Sequence, residues 1–134
     1  MGLLRQYWTF MSQYDVPHAF WINISLTLLA GGLALILGTL ATAMRISPVP
    51  SLRGLSTFYV NAFRDIPLTV VMVAMSTVLW LNLDVQFSDN LADNFYVLAV
   101  IGLGLYHSSF IAEALRSGVN TVPVGQAEAA RSIG

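Results

Sequence analysis

Residues 19 to 44, Ala19-Phe20-Trp21-Ile22-Asn23-Ile24-Ser25-Leu26-Thr27-Leu28-Leu29-Ala30-Gly31-Gly32-Leu33-Ala34-Leu35-Ile36-Leu37-Gly38-Thr39-Leu40-Ala41-Thr42-Ala43-Met44, hold no charged side chain. As a helix, such a run is about 39 Å long, enough to cross a hydrocarbon layer of about 30 Å with some tilt. Ala41-Thr42-Ala43 imitates the small-x-small site at which a secretory signal is cleaved. The run is longer than a signal's apolar core of about 7–15 residues, and Arg45 follows at once as a stop-transfer charge, so an uncleaved span over 20–44 is the expectation. Ala30, Ala34, Gly38 and Thr42 recur every fourth residue. They put small side chains on one helix face, where a second helix could come close; small residues are also simply common in membrane helices.

The rest of the 134-residue chain fits that reading. Apolar residues make up 56% and charged ones 10%, too few polar groups to cover a water-soluble fold. A net charge of −1 supplies no basic field for nucleic acid, and the absence of cysteine removes disulfides, thiolate metal sites and cysteine nucleophiles. Residues 1–18 form a lead-in, with Tyr7, Trp8, Tyr14, Phe20 and Trp21 as headgroup-level anchors. After Ser47-Pro48-Val49-Pro50 breaks the first helix, Leu52, Leu55, Tyr59 and Phe63 mark an amphipathic helix over 51–63. A second span is expected over 66–83, with Pro67 in its first turn, and a third over 95–112, closed by Glu113 and Arg116 three residues apart. The fold class expected is all-α and membrane-embedded, with about three transmembrane helices and a polar helix over 123–134. In that last helix Pro123 suits the first turn, and Gly134 suits the position just past the end.

Arginine placement sets an expected orientation. The 45–65 segment has three and the 113–134 segment two, whereas the 84–94 loop has none and carries Asp84, Asp89 and Asp93. By the positive-inside bias the Arg-rich segments lie in the cytoplasm and the N-terminus outside; Arg5 is the exception.

Glu128-Ala129-Ala130, followed after three residues by Gly134 and preceded by Val122-Pro123 and Gly125-Gln126, resembles the coupling motif of inner-membrane permease subunits of ABC importers. Ala112-Glu113-Ala114-Leu115-Arg116-Ser117-Gly118-Val119 is similar to the stretch before that motif in the polar amino-acid uptake branch. Arg64-Asp65-Ile66-Pro67-Leu68 is similar to that branch's Arg-Gly-Thr-Pro-Leu, with Asp65 and Ile66 departing from it. Asn23-Ile24-Ser25-Leu26-Thr27-Leu28 suits its first span. Four elements in register over residues 20–134 carry a resemblance that the Glu-Ala-Ala-x-x-x-Gly pattern alone would not; among these permeases the wording is most similar to glutamate-type systems of actinobacteria.

The resemblance implies an N-terminal portion of a five-span permease fold, truncated at the coupling motif, since family members continue through about two more spans. It implies a subunit that hydrolyses nothing and holds no cofactor itself. Its expected partners are a cytoplasmic ABC ATPase dimer carrying ATP and magnesium, a second permease subunit, an extracellular substrate-binding protein and the lipid bilayer. Gly125, Gln126, Glu128, Ala129, Ala130 and Gly134 then become ATPase-coupling residues; the bland alternative is a solvated helix whose Glu128 and Arg131 pair with each other. Candidates for the translocation path or its gate are Arg64, Pro67, His107, Ser108, Glu113 and Arg116. Each has a structural alternative. His107 could be a neutral histidine bonded to a neighbouring helix, Glu113–Arg116 a plain ion pair, and Arg64 a surface anchor. A permease for another solute and a non-transporting membrane scaffold remain as other function classes. A membrane enzyme is disfavoured because His18 and His107 are far apart and no catalytic triad or metal spacing exists.

Overall fold

The computed structural model describes residues 2–121 and 123–134, with the backbone alone for Leu4 and Val124. Six α-helices follow in order: α1 (Gly2–Gln13), α2 (Val16–Arg45), α3 (Pro50–Asp65), α4 (Leu68–Ala74), α5 (Leu91–Asn120) and α6 (Val124–Ser132). Helix α4 runs on into a π-helical segment over Met75–Asn82. No strand occurs among the described residues, so the fold is the all-α membrane class expected from composition.

Local chemistry sets the boundaries. Asp15, in the left-handed region at φ 45°, turns the chain between α1 and α2, and Pro17 sits in the first turn of α2. Pro50 opens α3 in the same way. Asn90 caps α5 by accepting the Ala92 N–H at 3.0 Å, and Asp93 adds a negative charge to the first turn, where the helix dipole favours it. Pro67 stands one residue before α4 with extended backbone rather than inside its first turn, and α3 and α4 meet there at a bend of 103°.

Two helices are each long and apolar enough to cross a membrane: α2, with mean hydropathy 2.1, and α5, with mean hydropathy 1.7. The first and third expected spans thus lie inside longer helices. The second, expected over 66–83, forms a helix over 68–82 that is too short to pass the same test alone and joins α3 as one bent pair. At the switch into the π segment, Ser76 Oγ donates to the carbonyls of Met72 and Val73, at 3.2 and 3.1 Å, which occupies acceptors that the change of register would loosen.

Helices α2 and α5 form the spine and run parallel, with matching contacts all along their length. Tyr96 donates to Ser25 Oγ at 2.7 Å near their starts, Leu33 covers Gly104, and Gly38 lies against Ser108 and Ile111. Thr42 Oγ1 then donates to Ala112 O at 3.2 Å near their ends. The stripe of Ala30, Ala34, Gly38 and Thr42 is the buried face of α2, as its fourfold spacing suggested. On α5 it meets Ser108, Ile111 and Ala112, and the other small buried residues of that helix include Gly102, Gly104 and Ser109. Between parallel α2 and α5 the chain must return. Met72 and Met75 cover Gly102, and Trp80 packs edge-on against Phe95 at 4.6 Å, so α4 and the π segment descend along α5 toward its start. The Asp-rich 84–94 loop therefore lies at one end of the bundle, and the Arg-rich segment after α2 lies with the C-terminal part of α5 at the other.

Helix α3 presents a different face from the one its leucines mark. Leu52 and Leu55 are exposed, Leu55 by 60%, whereas Ser56 and Val60 are buried and Tyr59 and Phe63 half-buried. Serine is the residue that fits, because its hydroxyl donates to Ala41 O of α2 at 2.6 Å, and a bulkier side chain would hold the helices apart.

Candidate functional site

The Arg-rich end of the bundle is built around one carboxylate. Glu113, on α5 one residue past the apolar 95–112 stretch, bonds Arg45 of α2 and Arg116 of its own helix, the latter at 2.9 Å, and lies 3.5 Å from Arg64 of α3. Arg45 and Arg64 end their helices and Arg116 stands one turn after Glu113, so the C-terminal ends of α2 and α3 converge on this point of α5. Arg45 is the most enclosed of the three, its side chain 12% exposed, and Arg64 also lies 5.9 Å over the Phe110 ring. Arg116 and Arg45 both donate charge-assisted hydrogen bonds to the Glu113 carboxylate. Three guanidiniums against one carboxylate leave an excess of positive charge. Arg116 Nε is buried with no partner among the described residues.

The cluster gathers Glu113, Arg116 and Arg64 from the expected path or gate candidates and adds Arg45, which the sequence presents only as a stop-transfer charge. Ser108 is elsewhere and fully buried: its hydroxyl meets Tyr59 Oη at 2.5 Å and donates to Leu105 O at 2.8 Å, while Tyr59 donates to the same carbonyl at 2.9 Å. These contacts fasten α3 to α5 and leave Ser108 no surface for a solute. His107 is exposed on the outer face of α5, edge-on to Tyr106 at 5.4 Å, and has no hydrogen bond among the described residues. Pro67 forms the α3–α4 bend. A polar face of α3 that the sequence reading did not single out, with Arg53, Thr57, Asn61 and Asp65, lines an open groove of about 620 Å³. Its fourfold spacing was the available signal, and the apolar residues between obscured it.

Helix α6 carries the other candidates. Gly125, Gln126, Glu128, Ala129, Ala130 and Gly134 are all exposed, and α6 packs against no other helix among the described residues. Glu128 and Arg131 form no ion pair among the described residues. Pro123 is the N-cap with extended backbone rather than a first-turn residue, and Gly134, just past the end, has φ +111°, where side chains are disfavoured. Val122, part of the motif, lies outside the described residues.

No protein-family model matches the chain. It is 51% identical over 121 residues, 87% of its length, to glutamate transport system permease protein GluC of Corynebacterium efficiens, and equally to that of Corynebacterium glutamicum, covering 53% of each. It is 36% identical over 118 residues to arginine transport system permease protein ArgU of C. glutamicum, covering 84% of this chain and 37% of that one. A crystal structure of an amino acid ABC transporter with histidines shares the fold at TM-score 0.69 and 23% identity, over 90% of this chain and 56% of the other. The chain thus spans about half the length of the curated relatives it matches. Over those residues it is similar to the permease proteins of amino-acid ABC transport systems.

Proposed function

We propose that this chain contributes spans and a coupling helix to a permease subunit of an ATP-driven amino-acid importer. The substrate proposed is glutamate, for which the relatives at 51% identity are named. A separate cytoplasmic ATPase hydrolyses ATP, a second permease subunit completes the path, and an extracellular binding protein delivers the solute. The N-terminus lies outside and residues 113–134 lie in the cytoplasm.

The observation that carries this reading is α6: a helix of nine residues that touches no other helix among the described residues, follows the long α5, and offers a small-residue surface with one acidic and one basic side chain. A stiff exposed element passes rigid-body movement from a soluble motor to membrane helices, which a floppy connection would absorb. Ala129 and Ala130 let a groove close over the helix, and Glu128 offers a charge to a guanidinium or ammonium on the ATPase. The arginine-transport relative keeps a cationic substrate as the second reading.

The test is uptake of labelled glutamate, and of arginine in parallel, by the full-length protein assembled with its ATPase and binding protein. Glu128→Ala is expected to lower uptake and binding-protein-stimulated ATP hydrolysis together, at a loss of about 2–5 kcal/mol if the partner's charge is left buried and unpaired. Insertion into the membrane should be unchanged. If Glu128→Ala and Arg131→Gln both leave uptake intact, α6 is a solvated helix and the coupling reading fails. Reporter fusions after residue 89 should read outside and those after residue 55 or 120 cytoplasmic; the reverse pattern would put α6 beyond the reach of any ATPase.

A further inference from the structure

Glu113 is placed to do more than neutralise a neighbour. Its two oxygens divide the work. Oε1 takes Arg116 of its own helix at 2.9 Å, while Oε2 takes Arg45 and faces Arg64 at 3.5 Å, side chains that end two other helices. The turn of α5 that carries Glu113 is also the last one tied to the bundle. Ala112 is fully buried, whereas Ala114, Leu115 and residues 117–121 are exposed. Beyond Glu113 the described residues of α5 other than Arg116 are exposed, and the chain leads on to α6.

We infer that Glu113, held by Arg45 and Arg64, is an ionic latch through which movement of α6 is passed to α2 and α3. This inference rests on the proposed coupling role of α6. Without the latch, a push on α6 would tilt the free end of α5 about its last packed turn. With it, displacing Glu113 drags two cationic side chains anchored at helix ends, and α2, α3 and α5 move as one body. The ion contacts are directional and lie at the rim, where the lever arm is shortest. Arg45, Arg64 and Glu113 are positioning residues on this account and touch no substrate.

The experiment measures amino acid imported per ATP hydrolysed by the full-length transporter reconstituted with its ATPase and binding protein. A residue that only holds the fold together lowers the amount of assembled complex and scales uptake and hydrolysis alike; a latch residue changes their ratio. Arg45→Gln and Glu113→Gln are each expected to lower the ratio about two- to thirtyfold, the range for residues that carry coupling between distant sites. The double variant should be no worse than Glu113→Gln, because the two act through one contact. Arg45→Lys, which keeps the charge, should recover most of the ratio. Additive losses in the double variant, or a constant ratio in all of them, overturn the latch. Glu128→Ala, run beside them, separates the two claims. If it fails to alter transport the coupling reading of α6 is lost, whereas uncoupling by Glu128→Ala with an unchanged ratio in Arg45→Gln removes the latch alone.

Discussion

Alanine and glycine do opposite things at the two ends of this chain. Between α2 and α5, Ala30, Ala34 and Gly38 are small so that two backbones can meet: a β-carbon on Gly38 would lie 2.9 Å from the Ser108 carbonyl. In α6, Ala127, Ala129 and Ala130 face open space. Lipid tails are as apolar as leucine, so helices in a bilayer gain by close van der Waals contact rather than by hiding bulk, and small residues are what allow that contact. In α6 the same residues serve helix propensity and leave a thin surface. Side-chain size alone therefore says nothing of role until a partner is known.

Substituting both places alike should break the comparison apart. Ala34 is 1% exposed and Ala127 is open. Ala34→Leu is expected to lower stability by about 1–3 kcal/mol, the range for forcing extra volume into a packed interface, and Ala127→Leu to leave it unchanged. Gly38→Val should be worse than Ala34→Leu. Its β-carbon would fall 2.7 Å from Ile111 Cγ2, 2.8 Å from Ile111 Cβ and 2.9 Å from a backbone carbonyl, none of which is the free end of a flexible side chain. The measurement is the thermal midpoint of the detergent-solubilised protein, with cross-linking between Ser25 and Tyr96 positions as a reporter of the α2–α5 contact. Equal effects of the two leucine substitutions would mean that α6 is packed in the folded protein.

Much of this architecture was legible because lipid imposes a simple rule on sequence. An uncharged run of this length in lipid must be a helix, so Ala19–Met44 announced α2, and its fourfold stripe of small residues was one of two open readings until α5 was seen to cover it. The Glu113–Arg116 spacing announced an ion pair for the same kind of reason, since i and i+3 share a helix face. Arg45 and Arg64 could not be assigned to that carboxylate, because they lie 68 and 49 positions away in sequence and their convergence depends on α2 and α5 being parallel. The side of α3 that packs on the bundle was not legible for a related cause. Leu52 and Leu55 look like core by the logic of water-soluble helices, yet in a membrane bundle the buried face takes Ser56, which has a carbonyl to meet. Hydrophobic period finds the helix in both solvents, but only polarity of contact tells which side packs.

Polar contacts within the bundle sharpen the point at a smaller scale. Tyr59 joins α3 to α5 through its hydroxyl, which donates to Leu105 O and lies within hydrogen-bond distance of Ser108 Oγ. Tyr59→Phe keeps the ring, which is tilted against Phe63 at 4.9 Å, and removes both bonds, so a loss of about 1 kcal/mol is expected. Ser108→Ala should be milder, since the tyrosine hydroxyl still reaches Leu105 O. The pair should be less than additive, because both substitutions remove the one Tyr59–Ser108 contact. Unfolding of the single and double variants in bicelles would decide it; full additivity would mean that the hydroxyls do not bond each other.

The smallest effect belongs to Thr42, although it is buried in the α2–α5 contact. Its hydroxyl bonds Gly38 O of its own helix at 2.8 Å and reaches Ala112 O of α5 at only 3.2 Å. Valine has nearly the same shape, so Thr42→Val leaves the stripe's volume intact and removes only the hydroxyl. Gly38 O keeps its helical acceptor role toward Thr42 N–H, and Ala112 O keeps its place in the α5 ladder, so neither carbonyl is orphaned. Interhelical hydrogen bonds in membranes are worth about 0.6 kcal/mol on average, and this one is long and shared, so a change at or below that size is expected. The comparison with Ala34→Leu then carries the argument: if removing the hydroxyl weakened the α2–α5 contact more than adding a leucine's bulk beside it, hydrogen bonding rather than close approach of small residues would be what holds the spine together.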